Sequence, residues 1–75
     1  MKEQPGGRRE VSVNGVTRLV SAASIPELLR EVGHDPDRRG IAVAVDGEVV
    51  PRAEWARRPL RAGDRIEVVG AVQGG

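Results

Sequence analysis

Asn14-Gly15 stands between two short runs, Glu10-Val11-Ser12-Val13 and Val16-Thr17-Arg18-Leu19-Val20. The first run alternates polar and apolar residues, the pattern of a half-buried strand. The second is β-branched at both ends, which suits a pleated surface. Asn-Gly accepts the positive φ that both central residues of a tight hairpin require, so the chain reverses here into a second, antiparallel strand. Asp46-Gly47 repeats that chemistry between Ile41-Ala42-Val43-Ala44-Val45 and Glu48-Val49-Val50. The unbroken apolar run 41–45 is expected of a strand covered on both faces or nearly so. Its small alanines would let a neighbour approach closely.

Between the two hairpins lies one helical pattern. Ser24-Ile25-Pro26-Glu27 reads as a capping box, with the Ser24 hydroxyl accepting from the Glu27 amide and the Glu27 carboxylate reaching back to the Ser24 amide. Pro26 does no harm in the first turn, where its missing N–H has no helical partner. Ile25, Leu28, Leu29 and Val32 recur at helical spacing and form a single apolar stripe. Gly33 is placed to end the helix as its left-handed C′ residue, after about two and a half turns. His34-Asp35-Pro36-Asp37-Arg38-Arg39-Gly40 is loop by composition, and His34 there is a surface residue.

After Pro51, the segment Arg52-Ala53-Glu54-Trp55-Ala56 suits a short helical turn. Trp55 is the residue type of an interface anchor, but in so small a protein it reads better as a plug over the open end of the sheet. Arg57, Arg58 and Arg61 read as a solvated charge cluster, Leu60 points inward, and Arg61-Ala62-Gly63-Asp64 is a turn. Arg65-Ile66-Glu67-Val68-Val69 alternates as the last strand, with Ile66 and Val68 on the buried face. The expected architecture is a two-layer α+β domain of four to five strands on one main helix. Its core would hold the helix stripe against Val11, Val13, Leu19, Val43, Val45, Ile66 and Val68. One helix leaves the second sheet face partly uncovered, a natural docking surface. Residues 1–9 read as a disordered arm with a solvated Arg8-Arg9 pair, residues 10–69 as the domain, and residues 70–75 as a flexible tail.

Composition removes most chemistries. A 75-residue chain buries about 60% of its unfolded surface and makes one small domain. The absence of cysteine excludes disulfides, thiolate metal sites and a thiol nucleophile. A single histidine, His34, leaves no metal-binding pair and no developed base–nucleophile system. A net charge of +1, one Trp and no Phe or Tyr argue against nucleic-acid recognition. No stretch is apolar enough for a signal or a membrane span. The expectation is a cytoplasmic, non-enzymatic domain with no metal and no bound cofactor.

What remains is the end, Val69-Gly70-Ala71-Val72-Gln73-Gly74-Gly75. At roughly 3.3–3.6 Å per extended residue the run can reach about 20 Å. Gly74 and Gly75 carry no Cβ beside the terminal carboxylate and permit backbone conformations closed to other residues. A free α-carboxylate is ionised at neutral pH but is a poor acyl donor until activated. The extended backbone from Gly70 to Gln73 can pair with strands or loops of another protein without needing large pockets. The Gly75 carboxylate is therefore the candidate functional group.

Val13-Asn14-Gly15, Ile25-Pro26-Glu27-Leu28-Leu29, the run from Ile41 to Arg52, Glu54-Trp55, Leu60 with Gly63-Asp64, and the end Val69 to Gly75 together resemble the ThiS family, the sulfur carriers of thiamine biosynthesis. The resemblance covers residues 11 to 75. Asp46 departs from the Asn common in that family, a change the same turn accepts. The loop from His34 to Gly40 matches nothing in the pattern. The resemblance implies the β-grasp (ubiquitin-like) fold with a mixed sheet. It also implies that Gly75 is adenylated at the expense of ATP by a ThiF-type adenylyltransferase. A persulfide donor then converts it to a thiocarboxylate, whose sulfur passes to a ThiG-type thiazole synthase. Gly70, Ala71, Val72, Gln73 and Gly74 would be the tail that those partners recognise. A carrier of the same fold serving molybdopterin or cysteine synthesis, and a non-catalytic β-grasp binding module, are the alternatives. A ubiquitin-like modifier would instead show Gly75 in isopeptide linkage.

Overall fold

The computed structural model describes residues 7–70. In chain order these form β1 (Arg9–Val13), β2 (Val16–Val20), α1 (Ile25–Glu31), β3 (Ile41–Val45), β4 (Glu48–Val49), a 3-10 turn (Arg52–Arg57) and β5 (Arg65–Gly70). The five strands make one sheet in the order β2-β1-β5-β3-β4. The β1–β5 pair is parallel and the other three are antiparallel. The sheet is thus mixed, and the last strand in sequence lies at its centre.

Both hairpin turns have the expected backbone. Asn14 and Gly15 have φ of 51° and 84°, and Asp46 and Gly47 have φ of 51° and 86°, the left-handed values that this tight turn demands. The helix ends as its sequence dictates. Gly33 has φ 97°, its N–H donates to the Arg30 carbonyl at 3.1 Å, and the His34 N–H donates to the Leu29 carbonyl at 2.7 Å. These two bonds satisfy carbonyls that the last helical turn leaves open.

The helix start differs from the expected capping box. Ser24 makes no side-chain cap, and Glu27 accepts from the Ala23 amide at 2.8 Å rather than from Ser24. The Ala23 amide, one residue earlier, takes the Glu27 carboxylate in place of the Ser24 amide. Ser24 is bridged to Pro59 and the Leu60 N–H donates to the Ala23 carbonyl, which ties the residues before α1 to those after the 3-10 turn. Glu31 completes the junction by accepting from the amides of Ser21 and Ala22.

Ile25, Leu28 and Leu29 are wholly buried on the sheet, with Val32 packed at the rim. Facing them are Val11, Val13, Val43, Val45, Ile66 and Val68, as expected. Leu19 is a correction: it is 60% exposed, and Val20 is buried in its place. The register decides this. A two-residue turn pairs Val13 with Val16, so Val20 shares the inward face with Arg9, while Leu19 lies opposite outward-facing Glu10. A second correction concerns β3. Its helix-side residues Val43 and Val45 are buried, but Ala42 is exposed, because the one helix covers a single face. Trp55 plugs the core from the 3-10 turn, 3% exposed, with its indole N–H donating to the Val50 carbonyl at 2.9 Å. Leu60 is buried as expected, joined by Ala22 and Val50.

Two edges of the expected domain also move. Arg9, placed in the arm from sequence, is the first residue of β1, held by pairing with Val20 and by donation from its guanidinium to the Ala22 carbonyl. Gly70, placed in the tail, is the last residue of β5 and pairs with Ile41.

Candidate functional site

The described part of the candidate site is the end of β5. Gly70 lies exposed at the end of the central strand. A Cβ added there would meet nothing within 4 Å, so local space does not require glycine. Ala71, Val72, Gln73, Gly74 and Gly75 lie outside the described residues, as does the part of the expected arm over residues 1–6.

Side chains from both hairpin turns reach the strand that leads to Gly70. The Asn14 carboxamide accepts from the Val68 N–H at 2.9 Å and donates to the Val68 carbonyl at 3.2 Å. From the opposite flank, Asp46 Oδ1 accepts from the Arg65 N–H at 3.0 Å, while the Asp46 N–H donates to the Arg65 carbonyl at 2.7 Å. Sequence reasoning took Asn14 and Asp46 only as turn formers. Their further reach could not be seen without knowing that β5 runs between the two hairpins.

The sheet face turned away from α1 carries Ala42 beside Val69 and Ala44 beside both Glu67 and Val49. Val49 is 74% and Val69 66% exposed, so an apolar strip runs across β4, β3 and β5 to within one residue of Gly70. Arg65 and Glu67 lie exposed on the same face of β5. The loop from His34 to Gly40 leads into Ile41, which pairs with Gly70. Arg52 shapes that loop, donating to the carbonyls of Pro36 and Arg38. His34, Arg57 and Arg61 are exposed as expected, whereas Arg58 is half-buried. Among the described residues, no group of three or more His, Asp or Glu is placed to hold a metal ion, and no helix is long and apolar enough to cross a membrane.

The chain matches the model of the ThiS family over residues 8–75. It belongs to the ThiS family. The sulfur carrier protein ThiS of Thermus thermophilus is 38% identical over 65 residues, spanning 87% of this chain and 98% of that relative. A thiazole synthase of Paramagnetospirillum magneticum contains a stretch 36% identical over 64 residues, which spans 84% of this chain but 19% of the synthase. The crystal structure of the thiamine biosynthesis protein ThiS from Geobacter metallireducens superposes with a TM-score of 0.70 at 26% identity, covering 88% of this chain and 99% of that one. The fold is accordingly the β-grasp. ThiS-family proteins are small carriers rather than catalysts, consistent with a surface that presents a strand end and an apolar strip.

Proposed function

We propose that this ThiS-family sulfur carrier of thiamine biosynthesis holds its sulfur as a thiocarboxylate on Gly75. The observation that carries the reading is the family match, whose bounds, residues 8–75, take in both the β-grasp domain and Gly75. The carboxylate oxygen attacks the α-phosphorus of ATP on a partner adenylyltransferase, and pyrophosphate leaves. The terminal sulfur of a persulfide then attacks the acyl carbon, and AMP leaves. A thiol attacks the donor-side sulfur of the resulting acyl disulfide, releasing the Gly75 thiocarboxylate and a new disulfide. The absence of a Cβ at Gly74 and Gly75 opens both faces of the acyl carbon to these attacks.

The sulfur acceptor in this reading is thiazole synthase. A synthase chain that itself contains a segment resembling this domain supports the pairing, since joining two partners in one chain raises their effective concentration without new contacts. The apolar strip of Ala42, Ala44, Val49 and Val69 is the surface by which partners would tell this carrier from other proteins with glycine ends. Gly70 to Gly74 would be read through their backbone.

Intact-mass analysis tests the proposal, after incubation with ATP, a persulfide donor and the cognate adenylating enzyme. Exchange of one oxygen for sulfur is expected, lost when Gly75 is deleted. Alkylation of the thiocarboxylate separates this product from oxidation of Met1. An unmodified mass would refute the carrier chemistry, and a lysine-linked adduct would identify a protein modifier instead.

A further inference from the structure

The central strand has unequal neighbours. On one side β3 accompanies β5 to its end, with Ile41 opposite Gly70. On the other side β1 stops at Val13, opposite Ile66, where the chain turns away at Asn14-Gly15. The last main-chain bond on that side runs from the Asn14 N–H to the Ile66 carbonyl at 2.9 Å. Residues two apart in a strand point their peptide groups the same way, so the next groups facing the missing partner are the N–H and carbonyl of Val68. Those are the groups that the Asn14 carboxamide takes up, accepting at 2.9 Å and donating at 3.2 Å. One side chain thus stands in for one peptide unit of a strand that is no longer there.

The residue type is dictated twice over. A φ of 51° at position 14 restricts the choice to Asn, Asp or Gly without strain. Of these only Asn offers both an acceptor and a donor. Asp would keep the bond from the Val68 N–H but turn an oxygen toward the Val68 carbonyl, and Gly would supply neither. The other hairpin makes the contrast. There the side chain meets one donor, the Arg65 N–H, and the residue is Asp46.

We propose that Asn14 is a positioning residue for sulfur loading: by completing the β1 side of β5 through Val68, it steadies the strand end at Gly70, five residues before Gly75. The proposal rests on the carrier reading above. Without the carboxamide, the end of β5 is held through β3 alone, with Val43, Ala42 and Ile41 opposite Val68, Val69 and Gly70. A strand end held from one side moves more, which spreads the Gly75 carboxylate over a larger volume and lowers its effective concentration in a partner's cleft.

The test uses the full chain with Asn14→Gly, which keeps the turn and removes the carboxamide, and Asn14→Asp, which keeps one of the two bonds. Ile25→Val, at the far end of the helix, serves as a mildly destabilised control. All are assayed well below their melting temperatures. For Asn14→Gly, exchange of the Val68 amide should accelerate, and KM for ATP-dependent sulfur loading should rise about two- to threefold with kcat retained. Asn14→Asp should fall between Asn14→Gly and wild type, and Ile25→Val should match wild type. Asn14→Gly loading as Ile25→Val does, or exchanging Val68 at the wild-type rate, would overturn the proposal. If the wild-type chain takes up no sulfur, the carrier reading falls, and the exchange measurement alone decides whether Asn14 holds Val68.

Discussion

The guanidinium of Arg52 lies 4.4 Å above the ring of Trp55, and its N–H groups hold the carbonyls of Pro36 and Arg38, the latter at 2.7 Å. One side chain therefore joins the core plug to the loop between α1 and β3. Lysine has neither the planar face for stacking nor the fork that reaches two carbonyls. Arg52→Lys should cost about 1 kcal/mol and speed exchange of the Asp37 and Arg38 amides. Unchanged exchange would mean that the loop is held by its own contacts, the Asp35 carboxylate accepting from the Asp37 N–H at 2.9 Å.

Leucines at 19 and 29 lie on opposite sides of the sheet. Leu29, on α1, is wholly buried against it, while Leu19, on β2, is 60% exposed. Leu29→Ala should cost about 2–5 kcal/mol as a core cavity, whereas Leu19→Ala should stay within about 0.5 kcal/mol. Urea denaturation of both variants checks the register. A large loss at Leu19 would require β2 to be slipped by one residue.

The same pair marks how far the sequence could be read. Every strand and the helix were legible, because alternation, the Asn-Gly and Asp-Gly turns and the 3.6-residue stripe are local signals. The outward turn of Leu19 was legible too. A two-residue hairpin pairs Val13 with Val16, and counting by twos from there leaves Leu19 outside. Leucine's hydrophobicity misleads only if that count is not made. The displaced cap at Ser24 and the carboxamide bond from Asn14 to Val68 were not legible. At the first, the adjacent Ala23 amide competes for the same Glu27 carboxylate; the second depends on a contact between distant residues, Asn14 with β5, and no local pattern announces it. For the terminal glycines the chemistry came from residue type and family resemblance. The strand end at Gly70 came from topology.

Gly70 separates what the fold needs from what a partner would need. It is exposed, and an added Cβ meets no atom within 4 Å. Gly70→Ala should leave stability within about 0.5 kcal/mol of wild type or slightly raise it, since alanine restricts the unfolded chain. Under the carrier proposal the partner approaches the backbone here, so kcat/KM for sulfur loading should fall while the melting temperature holds. Loading at the wild-type rate would remove Gly70 from the recognised segment.

Val69 offers the sharpest test of the apolar strip. Its side chain is 66% exposed and lies beside Ala42 on the face away from α1, so it contributes little to the core. Apolar residues clustered on an otherwise charged surface are the usual centre of a docking site. Val69→Lys keeps the backbone pairing and places a charge where desolvation would be required. A buried unpaired charge at an interface costs enough to lower kcat/KM by about tenfold or more, whereas the free domain should lose less than about 1 kcal/mol. Lys at Val16 makes the control, because Val16 is comparably exposed, at 56%, but lies on the edge strand β2, away from the strip. Val69→Lys should impair loading and Val16→Lys should not. Equal effects from the two would show that partners respond to net charge, and that the strip confers no recognition of its own.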